Sequence, residues 1–320
     1  MLCNMVSAIA PETGPAISHP CFSDPRPTPG GKDAMASLNP ESVEDPEGLL
    51  AQPDHMRDMD RVMLEVVAIL CPFPSVARVV GRIDAHDPQA WGAANVAVRI
   101  EVETPEGQRP VSRIYTIRSF DPRSGMVEID FVIHDDDSPA MRWLRAAGPG
   151  TRVHMIGPRQ HLVPGFAPGK RVAIFADETA IPAVFAILDA WPDGVSGSLW
   201  IETSDPEAFE ELPRLAGLDY HLIRRARPAG TTGALFAAAR QAISAPGGWT
   251  LWAAGERQEM REFRNHFRAL GLGRDDVRVF GYWKHGSSSS EIDRIRLREY
   301  AEIRRRGLRL EDLDDAELPI

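Results

Sequence analysis

Six consecutive residues, Arg113-Ile114-Tyr115-Thr116-Ile117-Arg118, bring two cations, an aromatic ring and a hydroxyl into one short stretch. Side chains alternate along an extended strand, so Arg113 and Tyr115 share a face. From there Tyr115 could stack on a planar ring system such as an isoalloxazine. Arg113 could pair with a phosphate, and the Thr116 hydroxyl could reach a ring nitrogen. By composition alone the stretch is equally an ordinary amphipathic strand, because Tyr and Thr favour the pleat.

A second group follows, Asp130-Phe131-Val132-Ile133-His134 and then Ser138-Pro139-Ala140-Met141-Arg142-Trp143. Serine ahead of proline is a helix-start signal, and a helix N-terminus offers N–H groups and partial positive charge to a pyrophosphate. His134, on the polar face of its strand, would sit close by. The acidic run Asp135-Asp136-Asp137 opposes an anion there unless its side chains point to solvent. Three further segments stand at strand ends: Asp177-Glu178-Thr179, Gly255-Glu256 and Tyr282-Trp283-Lys284. Ligands of open α/β sheets bind at such carboxyl ends, but the glycine fingerprint of a Rossmann turn is absent from the first of them.

These residues need elements to hold them. The 320 residues suffice for two domains with cores of their own. From about 60 to 165 the chain reads as strands broken by turns, with candidates at 76–83, 96–102, 111–118 and 127–133. A Pro-Glu-Gly turn stands at 105–107, a short helix runs from Ser138 to Ala147, and a last strand spans 153–156. That is the pattern of a small antiparallel barrel. After about 166, strands at 171–175, 199–202, 220–223, 250–253 and 277–280 alternate with helices at 179–190, 205–212, 233–243 and 256–270. The alternation predicts a doubly wound five-stranded parallel sheet covered on both faces, bounded at 166–286. A charged helix at 288–306, opened by Ser288 with Glu291 as a capping box, begins a C-terminal segment of 287–320. Residues 1–55, rich in Pro, Ser, Gly and acids, read as a disordered extension.

Bulk properties exclude several classes. A net charge of −10 opposes general affinity for nucleic acid. The three cysteines, Cys3, Cys21 and Cys71, lack metal-ligand spacing and oppose a disulfide scaffold, a zinc site or an iron–sulfur cluster. No apolar run is long enough to span a membrane, and no signal peptide is visible, so the cytoplasm and a monomer are the expectation.

Taken in order, the segments resemble the siderophore-interacting protein family of FAD-dependent ferric-siderophore reductases, a branch of the ferredoxin–NADP reductase superfamily. The family pattern Arg-x-Tyr-Ser/Thr-x-Arg matches 113–118, Asp-Phe-Val-x-His matches 130–134, and Gly-Pro-Arg matches 157–159. Asp-Glu-Thr-Ala-x-Pro-Ala matches 177–183, Ala-Gly-Glu matches 254–256, and Tyr-Trp-Arg/Lys-x-Gly matches 282–286. There are departures. The family's Gly-Pro-Ala-Ser is here Ser138-Pro139-Ala140-Met141, which removes a serine contact to pyrophosphate, and the segment Asp84 to Gly92 is shorter than is common.

The resemblance implies FAD held by Arg113, Tyr115, Thr116, Arg118, His134, Ala140, Met141 and Trp143. NADH or NADPH would dock at Asp177, Thr179, Gly255 and Glu256. An anionic ferric siderophore would meet Arg159 and Lys284, with Arg82 and His161 as further candidates. No side chain need act as a general base, and no resident metal is implied. The alternatives are a reductase of the same architecture for a quinone, a ferredoxin or free flavin, and a non-catalytic siderophore- or flavin-binding module. For the nucleotide, Glu202 favours NADH, whereas Arg224 or Arg225 could serve a 2′-phosphate; the choice stays open.

Overall fold

The computed structural model describes residues 58–105 and 109–306, together with Cys21 and Met56. The expected extension at 1–55 therefore lies outside the described residues except for Cys21, as does most of the turn at 105–107.

Strands β1 (Asp60–Phe73), β2 (Val76–Arg82), β3 (Val96–Glu103), β4 (Val111–Asp121), β5 (Met126–Val132) and β6 (Arg152–Gln160) form the first half. They close into an antiparallel barrel in the order β1-β2-β5-β4-β3-β6. β5 alternates buried and half-buried residues along its length, the signature of a strand with one face on the core. Val79, Ile100, Ile129, Phe131 and Met155 fill the interior. β1 is a strand the sequence did not single out. It pairs with β2 on one side and β6 on the other and so closes the barrel. The shortened segment before β3 folds as helix α1 (Pro88–Trp91), capped by Asp87, and delivers Trp91 to the core. Helix α2 (Pro139–Ala146) starts after Ser138 with proline in its first turn, as expected.

The second half alternates. β7 (Arg171–Asp177), β8 (Gly197–Thr203), β9 (Leu218–Arg224), β10 (Trp249–Glu256) and β11 (Val277–Trp283) make a parallel sheet in the order β11-β10-β7-β8-β9. Helices α3 (Ile181–Asp189) and α4 (Pro206–Glu210) cover one face through Val184, Ile187 and Phe209. α5 (Ala234–Ala242) and α6 (Arg257–Ala269) cover the other through Leu235, Met260, Phe263 and Phe267. Burial on both faces explains why β7 reads as a continuous apolar run. Strand order reverses between β7 and β10, which places a ligand-accepting crevice at their carboxyl ends. Helix α7 (Ser289–Arg305) follows, and Ser288 Oγ accepts from Glu291 N at 3.2 Å.

The cysteines add a feature that the sequence reading did not name. Cys21 and Cys71 are disulfide-bonded, with Cα atoms 5.5 Å apart, so one described residue of the N-terminal stretch is tied to β1. It is a single cross-link and not a scaffold. Among the described residues no group of His, Cys, Asp and Glu is arranged to hold a metal ion. Among them, too, no helix is long and apolar enough to cross a membrane.

Candidate functional site

The β4–β5 ladder runs from Asp121↔Met126 to Ile117↔Ile129. Beyond it the rings of Tyr115 and Phe131 meet, their centroids 3.9 Å apart, and Trp143 of α2 stacks on Phe131 at 5.5 Å. These three rings form one aromatic row that joins β4, β5 and α2. Tyr115 is half-buried; burial raises its phenol well above its usual range, against the pull of the Arg113 charge. Arg113 is buried, and its Nη1 donates to Ser112 O at 2.7 Å. Thr116, half-buried, pairs in register with Ala97 of β3.

At the head of α2, Ser138 makes no side-chain capping bond, so its hydroxyl does not fill the place a bound anion would take. The acidic run before it is turned aside. Asp137 pairs with Arg142 and Arg145, at 3.3 and 3.1 Å, and is 76% exposed. Asp136 accepts from Ser138 N at 3.1 Å. Burial works against its charge, yet that bond and nearby His134 hold its carboxyl below the usual range. His134 is exposed beside this helix start, and its backbone N contacts Met141 Sδ at 3.4 Å. Tyr115 and Trp143 thus come together through Phe131, His134 meets Met141 at the start of α2, and Arg113 stands two residues before Tyr115 on β4.

Arg118 departs from this group. A register shift between Ile117 and Ser119 breaks the strand alternation and sends Arg118 into the junction between the two halves. There it is 2% exposed and pairs with Glu211 at 2.6 Å and Asp130 at 3.4 Å. Arg78 joins the same carboxylates at 2.8 and 2.7 Å. The Arg118 guanidinium also lies 3.7 Å over the Phe185 ring of α3. Nearby, Asp205 accepts from Ser75 N at 3.0 Å and from the Ser75 hydroxyl. Tyr282 donates to Asn95 Oδ1 at 3.1 Å. Sequence reasoning named none of Arg78, Asp130, Glu211 and Asn95 as site residues; Asn95 carries the one available signal, a small polar residue suited to its positive φ of 57°.

The carboxyl edge of the sheet is lined by Asp177, Glu178, Glu202, Arg225, Glu256, Glu259 and Trp283, among others. Asp177 Oδ1 accepts from Thr179 N and Oγ1 at 2.9 and 2.6 Å, and Oδ2 accepts from Trp283 Nε1 at 2.7 Å. Burial outweighs these bonds and pushes Asp177 up to about 6. Gly255 is required beside it, because a Cβ there would lie 2.6 Å from Asp177 Oδ2. Glu256 is fully engaged: it accepts from Glu259 N at 3.0 Å and from His285 N at 3.1 Å. It caps α6 and anchors the turn after β11. Burial, with the charges of Glu202, Asp177 and Glu256, pushes Glu259 up to about 7.

Of the residues expected to face a substrate, Arg159 lies on β6 opposite Ala97, itself opposite Thr116. Two strand spacings, roughly 10 Å, separate the two. His161 stacks on Phe280 of β11, with centroids 6.1 Å apart, and Lys284 follows β11 beside Trp283. Arg82 does not join them, because it pairs with Met126 at the far end of β2.

The comparisons with known proteins agree with this fold. Residues 82–162 match the family model described as siderophore-interacting FAD-binding domain, and residues 169–286 match that described as siderophore-interacting protein. The chain is 39% identical over 285 residues to the ferric acinetobactin reductase of Acinetobacter baumannii, spanning 89% of this chain and 99% of that protein. It is 28% identical to the ferric vibriobactin reductase of Vibrio cholerae over 62% of this chain and 74% of that one. A solved siderophore-interacting protein from A. baumannii superposes with a TM-score of 0.74 at 40% identity, over 78% of this chain and all of that one. A ferredoxin–NADP reductase from Neisseria gonorrhoeae with bound FAD and NADP, 16% identical, shares the fold, with a TM-score of 0.54 over 71% of this chain and 99% of that one.

Proposed function

Because the chain belongs to the siderophore-interacting protein family, we propose that it is an FAD-dependent reductase that frees iron from ferric siderophores. It takes electrons from NADH or NADPH and works in the cytoplasm as a monomer. The carrying observation is the row of Tyr115, Phe131 and Trp143, which joins β4 to α2, a helix whose start carries no side-chain cap, within the half that matches an FAD-binding domain. FAD held there supplies the conversion of a two-electron hydride donor into one-electron reduction of Fe(III).

The chain's own residues bind, orient and shield. Tyr115 offers a ring face, backed by Phe131 and Trp143, and Thr116 offers its hydroxyl to the ring edge. Arg113, His134 and the backbone N–H groups of Ala140 and Met141 hold the phosphates, with the Met141 departure leaving that task to the backbone. Asp177, Thr179 and Gly255 shape the edge where the nucleotide docks. Arg118 and Glu256, already engaged, serve as positioning residues for the domain junction and the β11 turn. No side chain acts as a general base. Arg159 and Lys284 give the rim positive character suited to an anionic catecholate or hydroxycarboxylate complex of iron, and His161 stands beside them on Phe280. Such hard oxygen donors hold Fe(II) less tightly than Fe(III), so reduction releases the metal.

The test is Fe(II) formation from a ferric tris-catecholate, trapped by an Fe(II)-selective chelator, with purified chain, FAD and pyridine nucleotide. Tyr115→Ala is expected to retain less FAD and to form Fe(II) more slowly. Fe(II) formation no faster than with free FAD alone would overturn the proposal.

A further inference from the structure

Resting on the reading that a pyridine nucleotide docks at the carboxyl edge, we infer that Glu178 makes the protein selective for NADH by occupying Arg225. In sheets of this winding, the residues after the second strand read the ribose 2′ position. A carboxylate there accepts from the hydroxyl of NADH, and an arginine takes the extra phosphate of NADPH. Here the strand next to β7 is β8, and it ends in Glu202 and Thr203. Glu202 is 3% exposed and accepts from Thr232 Oγ1 at 2.6 Å, which fixes its carboxylate in the cleft.

The cation that lines this cleft is Arg225. Its Nη2 is bonded to Glu178 and donates to Ser204 Oγ at 3.2 Å, while Nη1 donates to Arg227 O at 3.2 Å. The ion pair is well shielded, the two side chains being 13% and 11% exposed. Ser204 Oγ also donates to Glu178 at 3.4 Å. An arginine and a serine hydroxyl converging on one carboxylate is the donor set that a 2′-phosphate would need, and Glu178 already fills it. Arg224, the neighbour on the strand, does not line the cleft.

The remaining lining carboxylates set the sign of the field. A 2′-phosphate carries about −2 at neutral pH and would enter a cleft bounded by Asp177, Glu202, Glu256 and Glu259. It would also have to displace Glu178 from Arg225. A ribose hydroxyl carries no charge and can donate to Glu202. Like charges brought together disfavour the wrong ligand more than they help the right one.

The experiment compares NADH with NADPH on the FAD-loaded protein, together with calorimetric binding of 5′-AMP and 2′,5′-ADP as half-nucleotide probes. Wild type is expected to show kcat/KM at least about tenfold higher with NADH and to bind 5′-AMP more tightly. Glu178→Gln releases Arg225 and shifts both ratios roughly tenfold toward the phosphorylated ligand. Since that variant leaves a shielded arginine unpaired, Arg225→Met is the second arm, and its NADPH use relative to NADH does not fall. Wild-type preference for NADPH, an unchanged ratio in Glu178→Gln, or loss of NADPH turnover in Arg225→Met each overturns the inference. Flavin bleached by neither nucleotide overturns it too, together with the reading on which it rests; preference for NADPH overturns the inference alone.

Discussion

The protein holds two clusters of charge a short distance apart, and they are composed differently. At the junction between barrel and sheet, Arg78 and Arg118 face Asp130 and Glu211, cation matched to anion, and each side chain bonds to both opposites. At the carboxyl edge, Asp177, Glu178, Glu202, Glu256 and Glu259 face Arg225. The junction uses its charges on one another. Burial pushes the Glu211 carboxyl up, but the Arg78 hydrogen bond and the charges of Arg118 and Arg78 outweigh it and hold the group below its usual range. The edge cannot do this, and its buried carboxyls are pushed up instead, Asp177 to about 6 and Glu259 to about 7, with Glu202 in the same direction. Matched charge fixes how two domains sit; surplus charge is left to act on a ligand.

Breaking the junction is expected to have the largest effect. Arg118→Met leaves Asp130 and Glu211 with one shared cation, and removing one partner of a buried pair costs about 3–5 kcal/mol. Urea unfolding measures it. A loss below about 1 kcal/mol would mean that the junction is as loosely balanced as the edge, and the comparison would fail.

Removing a carboxylate from the edge should act in the opposite direction. Glu259→Gln keeps the acceptor for Phe236 N, which lies 2.9 Å away, and is expected to stabilise the fold by about 1–3 kcal/mol above pH 7. The sign follows from proton linkage. The folded state of Glu259 binds its proton more tightly than the unfolded chain, so wild type loses stability as pH rises from about 4.5, its ordinary value, to about 7. The variant lacks that decline, and the two curves converge below about pH 4.5. Glu211 works the other way: with its folded value lowered, its contribution is present above the ordinary carboxylate range and is lost on acidification. Glu211→Gln should therefore flatten the acid limb of the stability profile, and Glu259→Gln the neutral limb. Identical profiles for both variants would erase the distinction.

The smallest effect on stability belongs to the rim. Lys284→Ala changes a half-buried residue after β11 and is expected to leave unfolding within about 0.5 kcal/mol of wild type. It should lower turnover of anionic ferric chelates several-fold while leaving the flavin spectrum as it was. Unchanged kinetics with anionic chelates would remove Lys284 from the substrate rim.

Much of this was legible in the sequence, for identifiable reasons. The central parallel strands announce themselves because burial on both faces demands continuous apolar runs, and the strand-end residues follow from them. The aromatic row at Tyr115 and the exposed position of His134 beside the start of α2 were legible because short-range alternation and a Ser-Pro helix start are local signals. Arg118 came to the flavin group only with its motif: the register shift after Ile117 is invisible in residue types, and the arginine lies in the junction. β1 escaped notice because Met63, Val67 and Leu70 are apolar yet each more than 40% exposed, so its pattern does not alternate cleanly. Within the edge cluster, Glu259 went unnamed for a topological reason. Glu202 and Glu259 come from different strand–helix units, and only the winding of the sheet makes them neighbours.

The measurement closest to the central claim is an anaerobic titration of the purified, FAD-loaded chain followed by visible absorbance. NADH is predicted to bleach the flavin, and a ferric catecholate siderophore to restore its colour, with Fe(II) appearing in proportion. A chain that retains no flavin, or a bleached flavin whose colour the ferric siderophore does not restore, would contradict it.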